Sequence, residues 1–403
     1  MDVKPLFIFL ISLTFTLGIE ELKLLQIIFM HKQYVPYQDI MRNNMTLLSN
    51  NFSYHYINSM TKDIPKIGKM NMYNLGAYLR RRYDKFLGDV YTSKIMKMRT
   101  TEFPLSQISA EIVNAALWPP SELQKWNNDL NWQPIPFEYT RMEKDTLFLG
   151  TYCPRFKIEE LKAEKDMQKI ILHHTPLFHY VSNHTGIKMT KPSDIEYLYN
   201  ILYTKAAYNL SLPHWATETF PDGEIYNVTL LQYDLLSKTT IQKQLNGGTF
   251  LKEIIVNALK YIQGNITKDR KIMMYSGDDR NIVGILKALN LWSPHIPSEA
   301  TSLIFELYFN NVTSKYGVKI NYYTGIHKEN IFLTLPECSI ICPLDIFSKI
   351  VLNSVPVNEE SLCQWTNDSL HTNMTSENNA SNQNFHKWIN TILLLILVVM
   401  MYK

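Results

Sequence analysis

The chain has 403 residues, 46% hydrophobic and 19% charged, with 40 Lys and Arg against 37 Asp and Glu, for a net charge of +3. That length can bury a sizeable core in one large domain or two. A nearly balanced charge with no basic run, and no aromatics interleaved with arginine, argues against nucleic acid as a partner.

Residues 1–18 carry Lys4, an apolar run over 6–17 and the small residues Thr16 and Gly18, and are read as a signal peptide removed near Gly18. A membrane anchor is the alternative, disfavoured because the run is short for a span. Residues 22–36, LKLLQIIFMHKQYVP, follow as a buried strand that delivers His31 at its carboxyl end, where open α/β sheets usually place catalytic groups. A single histidine there is a weak signal, and a structural role is the plainer reading. Residues 39–63 read as a polar loop. Over 70–87, Met72, Leu75, Leu79, Tyr83 and Phe86 recur at spacings of three and four, which predicts an amphipathic helix. Arg80, Arg81, Arg82 and Lys85 are expected on its solvated faces. A second strand is expected over 89–98, ending at Arg99. A helix over 106–117 then stops at Trp118-Pro119-Pro120.

From 151 to 245 the pattern is mainly helical, with segments near 158–172, 193–209 and 228–245, and is read as a helical insertion or lid. His173 and His174 lie within it with no carboxylate or cysteine at ligand spacing and are expected on the surface or behind the residues that carry chemistry. After Gly247-Gly248 come a helix over 249–263 and a strand over 271–275. The turn Ser276-Gly277-Asp278-Asp279-Arg280 precedes a helix over 281–291, whose N-terminus favours an anion. Alternation over 305–310 and 318–323 predicts antiparallel edge strands. The expected organisation is an α/β domain from 19–150 and 246–365, the helical insertion at 151–245, and a polar linker with an anchor signal at 366–403.

Ten Asn-x-Ser/Thr sequons, at Asn44, Asn51, Asn183, Asn209, Asn227, Asn265, Asn311, Asn367, Asn373 and Asn379, exceed chance and favour a glycosylated secretory-route protein. The ten apolar residues 392–401 are too few to span a bilayer. Preceded by a polar spacer and the small residues Asn379, Ala380 and Ser381, they suit a glycosylphosphatidylinositol anchor signal better than a short transmembrane tail. Either places the folded part outside the cell or in a lumen. The four cysteines, Cys153, Cys338, Cys342 and Cys363, suggest two disulfides with three connectivities open. No second pair with ligand spacing accompanies Cys338 and Cys342, so no metal is expected, and no motif asks for a cofactor.

Three strand ends presenting His31, Arg99 and Asp278-Asp279 resemble the histidine acid phosphatases, specifically the prostatic, lysosomal and venom branch. The likeness runs from about residue 21 to 363. It includes Leu75-Gly76, Trp132-Gln-Pro-Ile-Pro136, Cys153-Pro-Arg-Phe156, Leu212-Pro213, Gly247-Gly248, Met274-Tyr-Ser276, Glu306-Leu-Tyr-Phe309 and Cys342-Pro-Leu344. The resemblance implies a three-layer α/β sandwich with a mixed sheet and a mostly helical inserted domain. It pairs Cys153 with Cys363 and Cys338 with Cys342, and leaves a homodimer open. A third family disulfide would join the positions of Thr204 and Ser302, where both cysteines are absent together.

The chemistry departs from the family. Its first motif, Arg-His-Gly-x-Arg-x-Pro, here reads Met30-His31-Lys32-Gln33-Tyr34-Val35-Pro36. The histidine that takes the phosphoryl group is kept as His31, whereas both phosphate-holding arginines are replaced, by Met30 and Tyr34. A third is kept as Arg99. The family's His-Asp reads Asp278-Asp279: the proton donor stays as Asp279, while a carboxylate replaces the phosphate-contacting histidine. Phosphoryl transfer depends on positioning and on neutralising charge around the moving group. Losing two arginines and a histidine should remove about 5 kcal/mol or more of transition-state stabilisation, near 10⁴-fold in rate. Lys32 and Arg280 are new cations beside the motifs, but a lysine lacks the arginine fork. Three readings follow: a binding glycoprotein with little or no phosphatase activity, a working phosphomonoesterase using His31, Asp279, Arg99, Lys32 and Arg280, or a hydrolase for a less anionic small ligand.

Overall fold

The computed structural model describes residues 20–32, 34, 64–325 and 330–363. The signal segment, the 39–63 loop, the C-terminal anchor signal, and Asn44, Asn51, Asn367, Asn373 and Asn379 lie outside the described residues.

β1 (Glu20–Met30) is buried from Leu24 onward, because both of its faces are covered. Leu24, Ile28 and Met30 enter one core and Leu25, Ile27 and Phe29 the other, the period-two alternation of a pleated strand. α1 (Lys66–Leu87), β2 (Met96–Thr100), α2 (Pro104–Leu117) and β3 (Glu138–Tyr139) follow. A largely helical stretch comes next: α3 (Pro154–Asp166), α4 (Gln168–His173), α5 (Thr175–Thr185), α6 (Pro192–Ala207), α7 (Glu224–Leu235) and α8 (Thr240–Lys243). The chain then returns through α9 (Thr249–Ile262), β4 (Ile272–Gly277) and α10 (Asp279–Ala288). It closes with β5 (Ser302–Asn310), β6 (Lys315–Tyr323), β7 (Asn330–Leu333), β8 (Ile341–Pro343), α11 (Leu344–Val351) and α12 (Glu359–Cys363).

The strands form one mixed sheet in the order β3-β2-β4-β1-β5-β6-β7, with β8 also on β6. β1, β4, β2 and β3 run parallel, and β5 to β8 pair antiparallel. α9, α10 and α11 cover one face through Phe250, Ile254, Ile282, Ile285 and Phe347. α1 and α2 cover the other through Leu75, Leu79, Ala110 and Val113, which makes the three-layer α/β sandwich. A Cβ on Gly76 would stand 2.2 Å from the Val113 carbonyl oxygen, so glycine sets how closely α1 approaches α2. The helical stretch gathers its own core from Leu177, Val181, Ile195, Leu198, Leu202 and Val228. Disulfides Cys153–Cys363 and Cys338–Cys342 are both formed, and the positions of the third family disulfide hold buried Thr204 and Ser302.

Several boundaries differ from the expectations. The second strand begins at Met96 rather than 89, because 89–95 form bends and a turn with no ladder partner. β5 and β6 are interior strands, not edges: helices cover both faces of β5, so its first six residues are buried and the alternation reflects two cores rather than core and solvent. The helix expected over 228–245 is broken after Leu235, where Thr239 caps α8: its hydroxyl accepts from the Gln242 backbone N–H, and its own backbone N–H donates to the Gln242 side-chain oxygen. The basic face of α1 is not wholly solvated either, since Arg82 reaches the buried carboxylate of Glu306 at 3.4 Å.

Candidate active site

Register brings the expected groups together. Met30 lies opposite Gly277 and Thr100 opposite Ser276, so β1, β4 and β2 end side by side and project His31, the Asp278-Asp279 turn and Arg99 from one edge of the sheet. The His31 backbone N–H donates to the Gly277 carbonyl at 3.3 Å, tying the first two ends together. Asp278 serves as N-cap of α10: its Oδ1 accepts from the Asn281 backbone N–H at 3.2 Å. Asp279 thereby occupies the first helical turn, 2% exposed, where the helix dipole favours a carboxylate.

His31 is 6% exposed and its Nδ1 has no hydrogen-bond partner. Burial depresses its pKa to about 4, against the opposing pull of Asp279, so the imidazole is neutral across most of the acidic range. A neutral imidazole is the form that can act as a nucleophile. Asp279 Oδ2 accepts from the Tyr233 hydroxyl at 2.7 Å, while Oδ1 is buried and has no hydrogen-bond partner. Asp279 is close enough to His31 to oppose the fall of its pKa.

Among the described residues, Lys32, Arg280 and Arg99 each stand against a carboxylate. The Lys32 ammonium is fully buried, 3.8 Å from Asp279 Oδ2, lies 5.4 and 5.9 Å from the ring centres of Tyr203 and Tyr199, and makes no hydrogen bond. Burial lowers its pKa; Asp279, Glu299 and Glu196 oppose that shift. Arg280 donates to Glu196 Oε2 at 2.9 Å. Arg99 donates to Asp145 Oδ1 at 2.9 Å and to Thr140 at 3.1 Å. Burial raises the pKa of both Glu196 and Asp145, but the adjacent arginine opposes the rise in each case.

The two replaced arginine positions are apolar or neutral. Met30 is fully buried in the core. The Tyr34 hydroxyl, its pKa pushed far up by burial, stays protonated and donates to Glu299 Oε2. Glu299 is completely buried, accepts a second hydrogen bond from the Lys32 backbone at 3.3 Å, and has its pKa raised by burial to about 7. Asp145, Glu196, Tyr233 and Glu299 were not legible as site residues in the sequence. They sit in loops or on apolar helix stripes, and the Arg99, Arg280, Asp279, Tyr34 and Lys32 groups they touch lie 46 to 267 residues away, so no local pattern marks them. Among the described residues no group of His, Cys, Asp and Glu has the arrangement of a metal site.

Residues 7–322 match the family model of the histidine phosphatase superfamily, branch 2. The chain is 36% identical over 354 residues to the venom acid phosphatase of Apis mellifera, covering 87% of this chain and 90% of that protein. It is 30% identical over 315 residues to prostatic acid phosphatase of Homo sapiens, covering 75% and 80%. Among solved structures, the phytase of Klebsiella sp. ASR1 superposes with a TM-score of 0.61 at 12% identity, covering 86% of this chain and all of that one, a likeness of fold.

Proposed function

The chain belongs to branch 2 of the histidine phosphatase superfamily, and from that premise we propose a secretory-route glycoprotein that keeps the acid phosphatase scaffold with phosphomonoesterase activity strongly impaired or absent. One observation carries the reading: among the described residues, the cations expected beside His31 each face a carboxylate, Lys32 at 3.8 Å, Arg280 at 2.9 Å and Arg99 at 2.9 Å. A phosphate dianion entering this pocket would meet Asp279, Glu196 and Glu299, and among the described residues the guanidiniums of Arg99 and Arg280 are already paired with carboxylates. Its transition state gains charge stabilisation only by displacing those pairs. Supporting the secretory route, the sequon residues Asn183, Asn209, Asn227, Asn265 and Asn311 are all exposed, and two relatives are named for venom and lysosome. C-terminal lipid anchoring is part of the same proposal, tested by phospholipase release from cells.

The deciding assay is hydrolysis of an aryl phosphate at acid pH by the glycosylated chain. Wild type is expected to match His31→Ala at background. A triple variant, Met30→Arg, Tyr34→Arg and Asp278→His, is expected to gain activity, since it returns to the pocket two guanidiniums and an imidazole in place of a thioether, a phenol and a carboxylate. Wild-type turnover abolished by His31→Ala would overturn the reading in favour of an active phosphatase. In that reading the buried, hydrogen-bond-free Lys32 ammonium turns from Asp279 to the substrate.

A further inference from the structure

At the opposite end of α10 from Asp279, about 12 Å away by the rise of eight helical residues, is a cavity of about 380 Å³ whose lining includes Asp234, Ser237, Lys238, Lys243, Lys287 and Trp292. The volume falls at the lower end of the range for small-molecule sites. Three ammonium groups face one carboxylate: Lys287 pairs with Asp234 and lies 5.5 Å from the Trp292 ring centre, while Lys238 and Lys243 add two more cations. Ser237 is 4% exposed, yet its hydroxyl has no hydrogen-bond partner. A buried hydroxyl left unpaired costs free energy unless something in the cavity pairs with it.

The carboxyl ends of α7, α8 and α10 meet here, and helix dipoles favour cations at such ends. That accounts for lysines being nearby. It accounts neither for the open volume, nor for the indole wall, nor for the orphaned Ser237 hydroxyl. We propose that this cavity is a second ligand site, separate from the His31 pocket, for a small aromatic or cyclic molecule bearing a phosphoryl or sulfuryl oxyanion. The oxyanion would be held by Lys238, Lys243 and the Ser237 hydroxyl, with the ring against Trp292. Tyr233, packed edge-on at 6.1 Å from Trp292 and bonded to Asp279, stands between the two sites.

The test is calorimetric titration of the full glycosylated chain with phenylphosphonate, whose carbon–phosphorus bond a phosphatase does not cleave, and with phenyl sulfate, to separate the two oxyanion sources. Phenol serves as the uncharged control. Lys238→Gln with Lys243→Gln is expected to weaken binding at least tenfold with an unchanged melting temperature, and Ser237→Ala to weaken it severalfold. His31→Ala is expected to leave it unchanged. Binding that survives the double lysine variant, or that is lost in His31→Ala, overturns the proposal and places the ligand in the catalytic pocket. Absence of binding by either oxyanion overturns it as well and leaves the lysines as partners of helix ends alone.

Discussion

Glu299 and His31 are both buried, and burial moves their pKa values in opposite directions within the acidic range. Consider Glu299→Gln, which keeps the shape and the acceptor for the Tyr34 hydroxyl while removing the titration. The carboxyl group goes from 4.5 in the unfolded chain to about 7 in the fold, so between those values the native state holds a proton that the unfolded state has released. Stability then falls as pH rises through that window, by 1.36 kcal/mol per unit or about 3 kcal/mol in all. The variant lacks this loss, so its stability relative to wild type should rise by about 3 kcal/mol from about pH 4.5 to about 7.5. Urea unfolding of both proteins across that range measures it. His31 works in the other sense: its pKa falls from 6.5 to about 4, so stability is lost as pH falls through that window, again by about 3 kcal/mol. In wild type the two slopes oppose each other over the shared interval, and His31→Gln should leave the falling Glu299 slope exposed. A Glu299→Gln minus wild-type difference that stays constant with pH would refute the reasoning, because the carboxyl would then titrate as it does in water.

Arg99→Ala should cost about 3 kcal/mol or more, because it strands the fully buried Asp145 carboxylate without its cation; the urea midpoint measures the loss, and Asp145→Asn in the same background should recover part of it. Replacing Cys153 and Cys363 by serine opens a cross-link spanning 210 residues and should cost about 5 kcal/mol, whereas opening the four-residue Cys338–Cys342 ring should cost about 2; parallel unfolding curves would rank the two. Gly247 has φ +112°, and a Cβ there would come within 2.2 Å of the Gly284 carbonyl oxygen. Gly247→Ala should therefore lose about 3 kcal/mol or more, read as a fall in secreted yield and in melting temperature.

The sequence alone determined the strands that carry chemistry and the helices beside them. Apolar periodicity is local: it placed β1 before His31, β4 before the Asp278-Asp279 turn and α1 on its Met72, Leu75 and Leu79 face, because each pattern needs only its own neighbours to be recognised. It also set the cysteines, the sequons and the replacement of the motif arginines by Met30 and Tyr34. Strand boundaries slipped where a ladder partner was needed to decide them, as at 89–95. The partners of the site's charges were decided only by tertiary structure. Lys32 and Arg280 read in the sequence as cations free to hold phosphate, but the fold sets Lys32 against Asp279, 247 residues away, and Arg280 against Glu196, 84 residues away. It also buries Glu299 beneath Tyr34 from a loop no motif marks. A charge's worth is set by the solvent it has lost and the opposite charge it has met, and both are properties of neighbours brought in from distant parts of the chain.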